Sequence, residues 1–119
     1  MSLARLHAVV LDCPDPLALA EFYARLVGGT PVASGNGWAD LQGDTGTHLA
    51  FQRAPGHRPP RWPGPDGSQQ IHLDVTVEDM DAAEKEILAL GATVLDNADR
   101  ERPWRVYADP AGHPFCLCI

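Results

Sequence analysis

An internal repeat constrains this chain more than any other feature. Residues Ala8 to Asp15 align with His72 to Asp79 at a constant offset of 64, and the match runs without a gap to Leu26 and Leu90. Downstream, Trp38, Gly46 and Ala50 align with Trp104, Gly112 and Cys116 at an offset of 66. A chain of 119 residues is long enough for one domain with a modest core. Two similar halves within it read as a duplicated supersecondary unit. The repeat also lets each position of one half be judged against its twin.

The local pattern predicts the same element order in both halves. Leu6–Cys13 is apolar and rich in Val and Leu, as a strand is. Asp15 can cap a helix that Pro16 opens, and Leu19, Phe22, Tyr23 and Leu26 make one apolar stripe along it. Gly28-Gly29 ends that helix. Short strands follow near Pro31–Ala33, Gly37–Leu41 and His48–Arg53. In the second half a strand over Gln70–Val77 leads to a helix over Met80–Leu90, capped by Asp79 and stopped by Gly91. Its apolar face holds Met80, Ala83, Ile87 and Leu90. Strands near Thr93–Leu95, Trp104–Ala108 and Pro114–Ile119 complete it. The expected organisation is one domain over residues 1–119: unit one at 5–53, a proline-rich connector at 54–68 and unit two at 69–119. The connector carries Pro55, Pro59, Pro60, Pro63 and Pro65, too many for a helix or a central strand. It serves either as a plain linker or as a rim over a pocket with Trp62 as its apolar contact.

Charge narrows the partners. The net charge of −7 disfavours nucleic acid, whose phosphates demand a basic face. No apolar run approaches a membrane span and the N-terminus does not read as a signal peptide, so the expected setting is cytoplasmic, away from any membrane. Three cysteines argue against a disulfide framework, and Cys116 and Cys118, two apart in a strand, are poorly placed to bond each other.

Several stretches carry a resemblance over essentially the whole chain. They are Val10 to Pro16 with Phe22-Tyr23, His72 to Val75 with Asp79 to Ala83, and Tyr107 to Phe115. With the duplicated strand-helix-three-strand order, they resemble the glyoxalase/bleomycin-resistance/dioxygenase superfamily, also called vicinal oxygen chelate proteins, and its glyoxalase-like subgroup in particular. The resemblance implies an α+β fold of two tandem βαβββ units, with a curved, partly barrel-like sheet around a cavity, and a homodimer. In metal-dependent members a divalent ion acts as a Lewis acid on paired substrate oxygens. Its ligand positions carry over to Ala8, Ala50, His72 and Cys116, where only His72 is a standard ligand. The hard-oxygen site is therefore degenerate. No cofactor is expected, with zinc on His72 and Cys116 as the exception, since zinc accepts imidazole and thiolate.

Strand alternation adds His48, Gln52, Asp12, Asp74 and Cys118 to the cavity side. Buried carboxylates at Asp12 and Asp74 would need partners. Three chemistries suit the set of His72, Cys116, His48, Gln52, Asp74, Asp12 and Trp62. The first is plain binding of a small, partly aromatic or apolar molecule. The second is a glyoxalase-like lyase, isomerase or dioxygenase built on a non-standard metal site around His72. The third is thiol chemistry at a Cys116 whose pKa a neighbouring imidazolium lowers. Against the last, free Cys is usually a small buried hydrophobe.

Overall fold

The computed structural model describes residues 2–43, 46–65 and 71–119. They form two compact units that divide after His57, inside the proline-rich connector. In unit one, β1 (Val9–Cys13) leads to α1 (Pro16–Val27), then β2 (Thr30–Ser34), β3 (Trp38–Gln42) and β4 (Leu49–Arg53). In unit two, β5 (Leu73–Thr76) leads to α2 (Met80–Ala89), then β6 (Thr93–Asp96), β7 (Trp104–Ala108) and β8 (Pro114–Cys118). Each unit holds one open four-stranded mixed sheet, ordered β1-β4-β3-β2 and β5-β8-β7-β6. The first and last strands of a unit pair in parallel and the rest antiparallel. The βαβββ order is as expected, and neither sheet closes on itself as a barrel.

The repeat survives at the level of hydrogen-bond register. Val10 opposes Ala50 across β1 and β4, and their twins Asp74 and Cys116 oppose each other across β5 and β8. Trp38 opposes Gln52, and the twin pair is Trp104 and Cys118. A one-residue slip in either sheet would exchange its two faces, so this agreement fixes which side chains share a face.

Both helices start as the sequence dictates. Asp15 accepts a hydrogen bond from the Ala18 N–H at 3.2 Å, and Asp79 from the Ala82 N–H at 3.0 Å. Gly91 follows α2 with φ of +109°, a left-handed backbone that suits glycine. Packing differs between the two. Helix α1 buries Pro16, Leu19, Ala20, Phe22 and Tyr23, and the Tyr23 ring stacks on Phe51 of β4 at 5.7 Å. Leu26 is only half-buried, because the buried stripe turns toward Ala20 and Tyr23. Helix α2 buries only Met80 and Ile87, leaving Ala83 and Leu90 half-buried. Each sheet thus has a covered face, with Leu11, Leu41, Phe51, Phe115 and Leu117 in the core, and a second face that no helix of its own unit covers.

Candidate functional site

In unit two, a cluster of donor groups gathers on the sheet face opposite α2. His72 lies just before β5, Asp74 lies two residues on, and Cys116 opposes Asp74 on the neighbouring strand. Alternation turns all three to the same side. His72 Nε2 stands 3.3 Å from Asp74 Oδ1, and the three residues bring donor atoms within 4.8 Å of one another. Connector residue Trp62 stacks on the His72 imidazole, with ring centroids 4.6 Å apart and planes inclined by 23°. Trp62, His72, Asp74, Trp104, Cys116 and Cys118 line a cavity of about 370 Å³. That is near the lower end of the range for small-molecule sites.

A backbone contact helps hold the connector there. Gly112 adopts φ of +90°, and a Cβ at that position would overlap the Pro59 ring. The turn that brings Gly112 to this place is held by Asp109, whose Oδ1 accepts from the Ala111 and His113 N–H groups at 2.8 and 3.0 Å. Trp62 thus lies against its own unit, stacked on His72. Trp104, which also lines the cavity, takes the Arg102 guanidinium over its ring at 4.7 Å.

Electrostatics oppose a reactive thiol in the absence of a cation. Burial pushes the Cys116 thiol up to about 12, and the charge of Asp74, which accepts a hydrogen bond from it, pushes the same way. Cys118 is also raised, by burial and then by Asp74. No imidazolium effect of the kind needed to activate Cys116 outweighs these. Asp74 is not the buried carboxylate anticipated from the sequence, since 64% of its side chain is exposed on the open sheet face.

The remaining sequence candidates belong to unit one. Asp12 and Gln52 oppose each other across β1 and β4, and both are exposed, so the expectation of a buried Asp12 is likewise corrected. His48 Nε2 shares a hydrogen bond with Asp40 Oδ1 at 2.8 Å, Trp38 Nε1–H donates to Asp40 Oδ2 at 2.9 Å, and His7 stacks on His48 at 6.0 Å. Sequence reasoning missed Asp40. Its signal was available, because Asp40 lies two residues from Trp38 on the same strand face. It also missed Pro103 and Ile119, which line the unit-two cavity.

The family's divalent ion does not fit the four carried-over positions. Ala8 and Ala50 offer methyl groups and no donor, and Ala50 is fully buried. Only His72 and Cys116 remain, and a hard cation prefers oxygen ligands to a thiolate.

The comparisons agree with the fold. The chain belongs to the glyoxalase-like domain family, whose profile matches residues 8–118. No curated protein sequence matches it. Among solved structures it is similar to a possible glyoxalase from Bacillus cereus, at 16% identity and a TM-score of 0.66, covering 99% of this chain and 100% of that one. It is also similar to a glyoxalase/bleomycin resistance protein/dioxygenase family enzyme from Burkholderia phytofirmans PsJN, at 17% identity and a TM-score of 0.68, covering 96% and 97%. A glyoxalase-related enzyme from Fulvimarina pelagi matches at 21% identity and a TM-score of 0.66, covering 98% and 88%. At these identities the likeness establishes the fold. No helix among the described residues is long and apolar enough to cross a membrane.

Proposed function

We propose that this protein binds a small, partly aromatic organic molecule in the unit-two cavity, between Trp62 and Trp104 and over His72. One observation carries the reading: the stacking of Trp62 on His72. It brings a connector side chain over the open sheet face and makes an apolar wall beside a few polar groups. Membership of the glyoxalase-like domain family supports the binding of a small molecule. Asp12, Gln52 and His48 of unit one are secondary candidates for ligand contact. The alternative, a glyoxalase-like lyase, isomerase or dioxygenase with a non-standard metal site around His72, draws support from the His72, Asp74 and Cys116 donors.

A homodimer belongs to the same proposal. Leu88, Val94 and Leu95 of unit two are exposed apolar residues that a second copy would cover. So does a cytoplasmic setting, where the three cysteine thiols stay reduced.

The test is a titration of wild-type protein with a panel of small planar aromatic molecules, read by tryptophan fluorescence. The reading expects quenching by at least one member and a weaker affinity in Trp62→Ala at unchanged thermal stability. An equal affinity in Trp62→Ala and Trp104→Ala would remove the cavity from the binding event. Light scattering on the same samples reports the dimer.

A further inference from the structure

We propose that His72, Asp74 and Cys116 form a thiolate-bearing site for zinc, built entirely within unit two. It keeps His72 and Cys116 of the family's four positions, takes Asp74 as a third ligand in place of the unit-one pair, and rests on the metal-site alternative given above. It shares the cavity with the proposed organic ligand but does not depend on that ligand.

Strand register brings the three donors together. Asp74 and Cys116 are cross-strand partners, and His72 precedes Asp74 by two residues, so the backbone aims one carboxylate, one thiol and one imidazole at a common point. The donor atoms already lie within 4.8 Å of one another. Ligands of a tetrahedral zinc ion at bond lengths of about 2.0 to 2.3 Å stand roughly 3.5 Å apart, so side-chain rotation alone can close the site. The Trp62 ring restrains the imidazole plane, as a supporting shell does for a metal ligand.

The donor chemistry selects the ion. Nitrogen, oxygen and sulfur together suit zinc and disfavour magnesium or calcium, which take oxygen ligands. A thiolate and a carboxylate supply two negative charges, which balance the ion. The unit-one twins of the three residues are Ala8, Val10 and Ala50, none of which can bind a metal. The donors therefore appear together in one copy of the repeat and are absent together from the other. Three protein ligands leave a fourth position open toward the cavity, the pattern of a zinc ion that also meets a small molecule. When bound, the ion would supply Lewis acidity at that open position.

Cobalt(II) tests this without any assumption about activity. Wild-type protein purified without chelators, stripped and titrated with Co²⁺ alone should develop a thiolate-to-cobalt charge-transfer absorption. One equivalent of Zn²⁺ should abolish it. Cys116→Ala should lose the band, Cys118→Ala should keep it, and His72→Ala and Asp74→Ala should each weaken Zn²⁺ binding about tenfold or more. Far-ultraviolet circular dichroism checks that each variant is folded, and Cys116→Ser provides a second, less perturbing thiol deletion. No charge-transfer band in folded wild type, or a band that survives loss of Cys116, overturns the proposal. The aromatic-ligand titration reads a separate event, so either proposal can fail while the other stands.

Discussion

The two units share a topology and a register yet differ in what they place on each side of the sheet. Between helix and sheet, unit one sets Ala20, Ala39 and Leu41, with Leu17 exposed on α1, and the twins in unit two are Glu84, Arg105 and Tyr107, with Asp81 as the twin of Leu17. An all-apolar contact has become a charged one. Arg105 is 4% exposed, and its Nη2–H donates to Asp81 Oδ1 at 2.9 Å while Nη1 lies 3.4 Å from Glu84 Oε2. The Tyr107 hydroxyl and Asn97 Nδ2 also donate to Glu84. On the open face the contrast runs the same way, with Val10 and Ala50 in unit one against Asp74 and Cys116 in unit two. At these positions unit two carries polar groups where unit one carries apolar ones. The comparison teaches that the fold needs the register and tolerates either an apolar or a charged contact between helix and sheet.

The sharpest way to break this comparison is to truncate the core that unit one relies on. Phe51→Ala should cost about 3–5 kcal/mol in urea denaturation, because Phe51 is fully buried against Tyr23. In unit two, Glu84→Ala should cost about 3 kcal/mol, because it leaves the buried Arg105 guanidinium without its nearest buried carboxylate and orphans the Tyr107 hydroxyl. If the charged interface is an elaboration, importing unit one's apolar set by Asp81→Leu, Glu84→Ala, Arg105→Ala and Tyr107→Leu together should recover much of that loss. A quadruple variant less stable than Glu84→Ala would show that unit two requires its charges.

Acid should separate the units more gently. Burial by itself would raise the Glu84 carboxyl, but hydrogen bonds from Tyr107 and Asn97 and the charges of Arg100 and Arg105 outweigh it and hold Glu84 below its ordinary value of 4.5. A carboxylate depressed in the folded state gives stability that is full above its unfolded value and lost as pH falls through the folded one. Hydrogen exchange should therefore show α2 amides losing protection below about 4.5 before α1 amides do, since the twin of Glu84 in α1 is Ala20. Simultaneous loss in both helices would assign the acid response elsewhere. The smallest effect belongs to Gly112→Ala. Its cost in stability should be on the order of 1 kcal/mol, from an unfavourable positive φ. The added Cβ should also push Pro59 away and change the tryptophan emission that the Trp62–His72 stack sets. An unchanged emission spectrum would mean that Gly112 does not position the connector.

Much of this molecule was legible in the chain because its signals are local or periodic. Asp15, Pro16 and the Asp79 cap mark the helix starts by chemistry that acts within one turn. The repeat predicts the βαβββ order, and strand alternation predicts that His72, Asp74 and Cys116 share a face. Strand ends were less legible. The expected Leu6–Cys13 strand begins at Val9 and the expected Gln70–Val77 strand covers Leu73–Thr76, with Gln70 outside the described residues. A strand lasts only as far as its partner pairs with it, and the partner is remote in sequence.

What only the tertiary structure decided are the contacts between residues far apart in the chain. Proline content marks the connector as irregular, but nothing local says that Trp62 lands on the His72 ring. The Glu84–Arg105–Tyr107 cluster was invisible for the same reason: a charged residue reads as solvated until its partner is known. The exposure of Asp12 and Asp74 was equally undecided, because alternation gives the face on which a side chain stands and not what covers that face. The sequence determined periodicity, caps and register through forces that act between near neighbours or repeat along a strand. Burial, charge pairing and the cavity depend on which distant segments meet, and that is set only when the chain is folded.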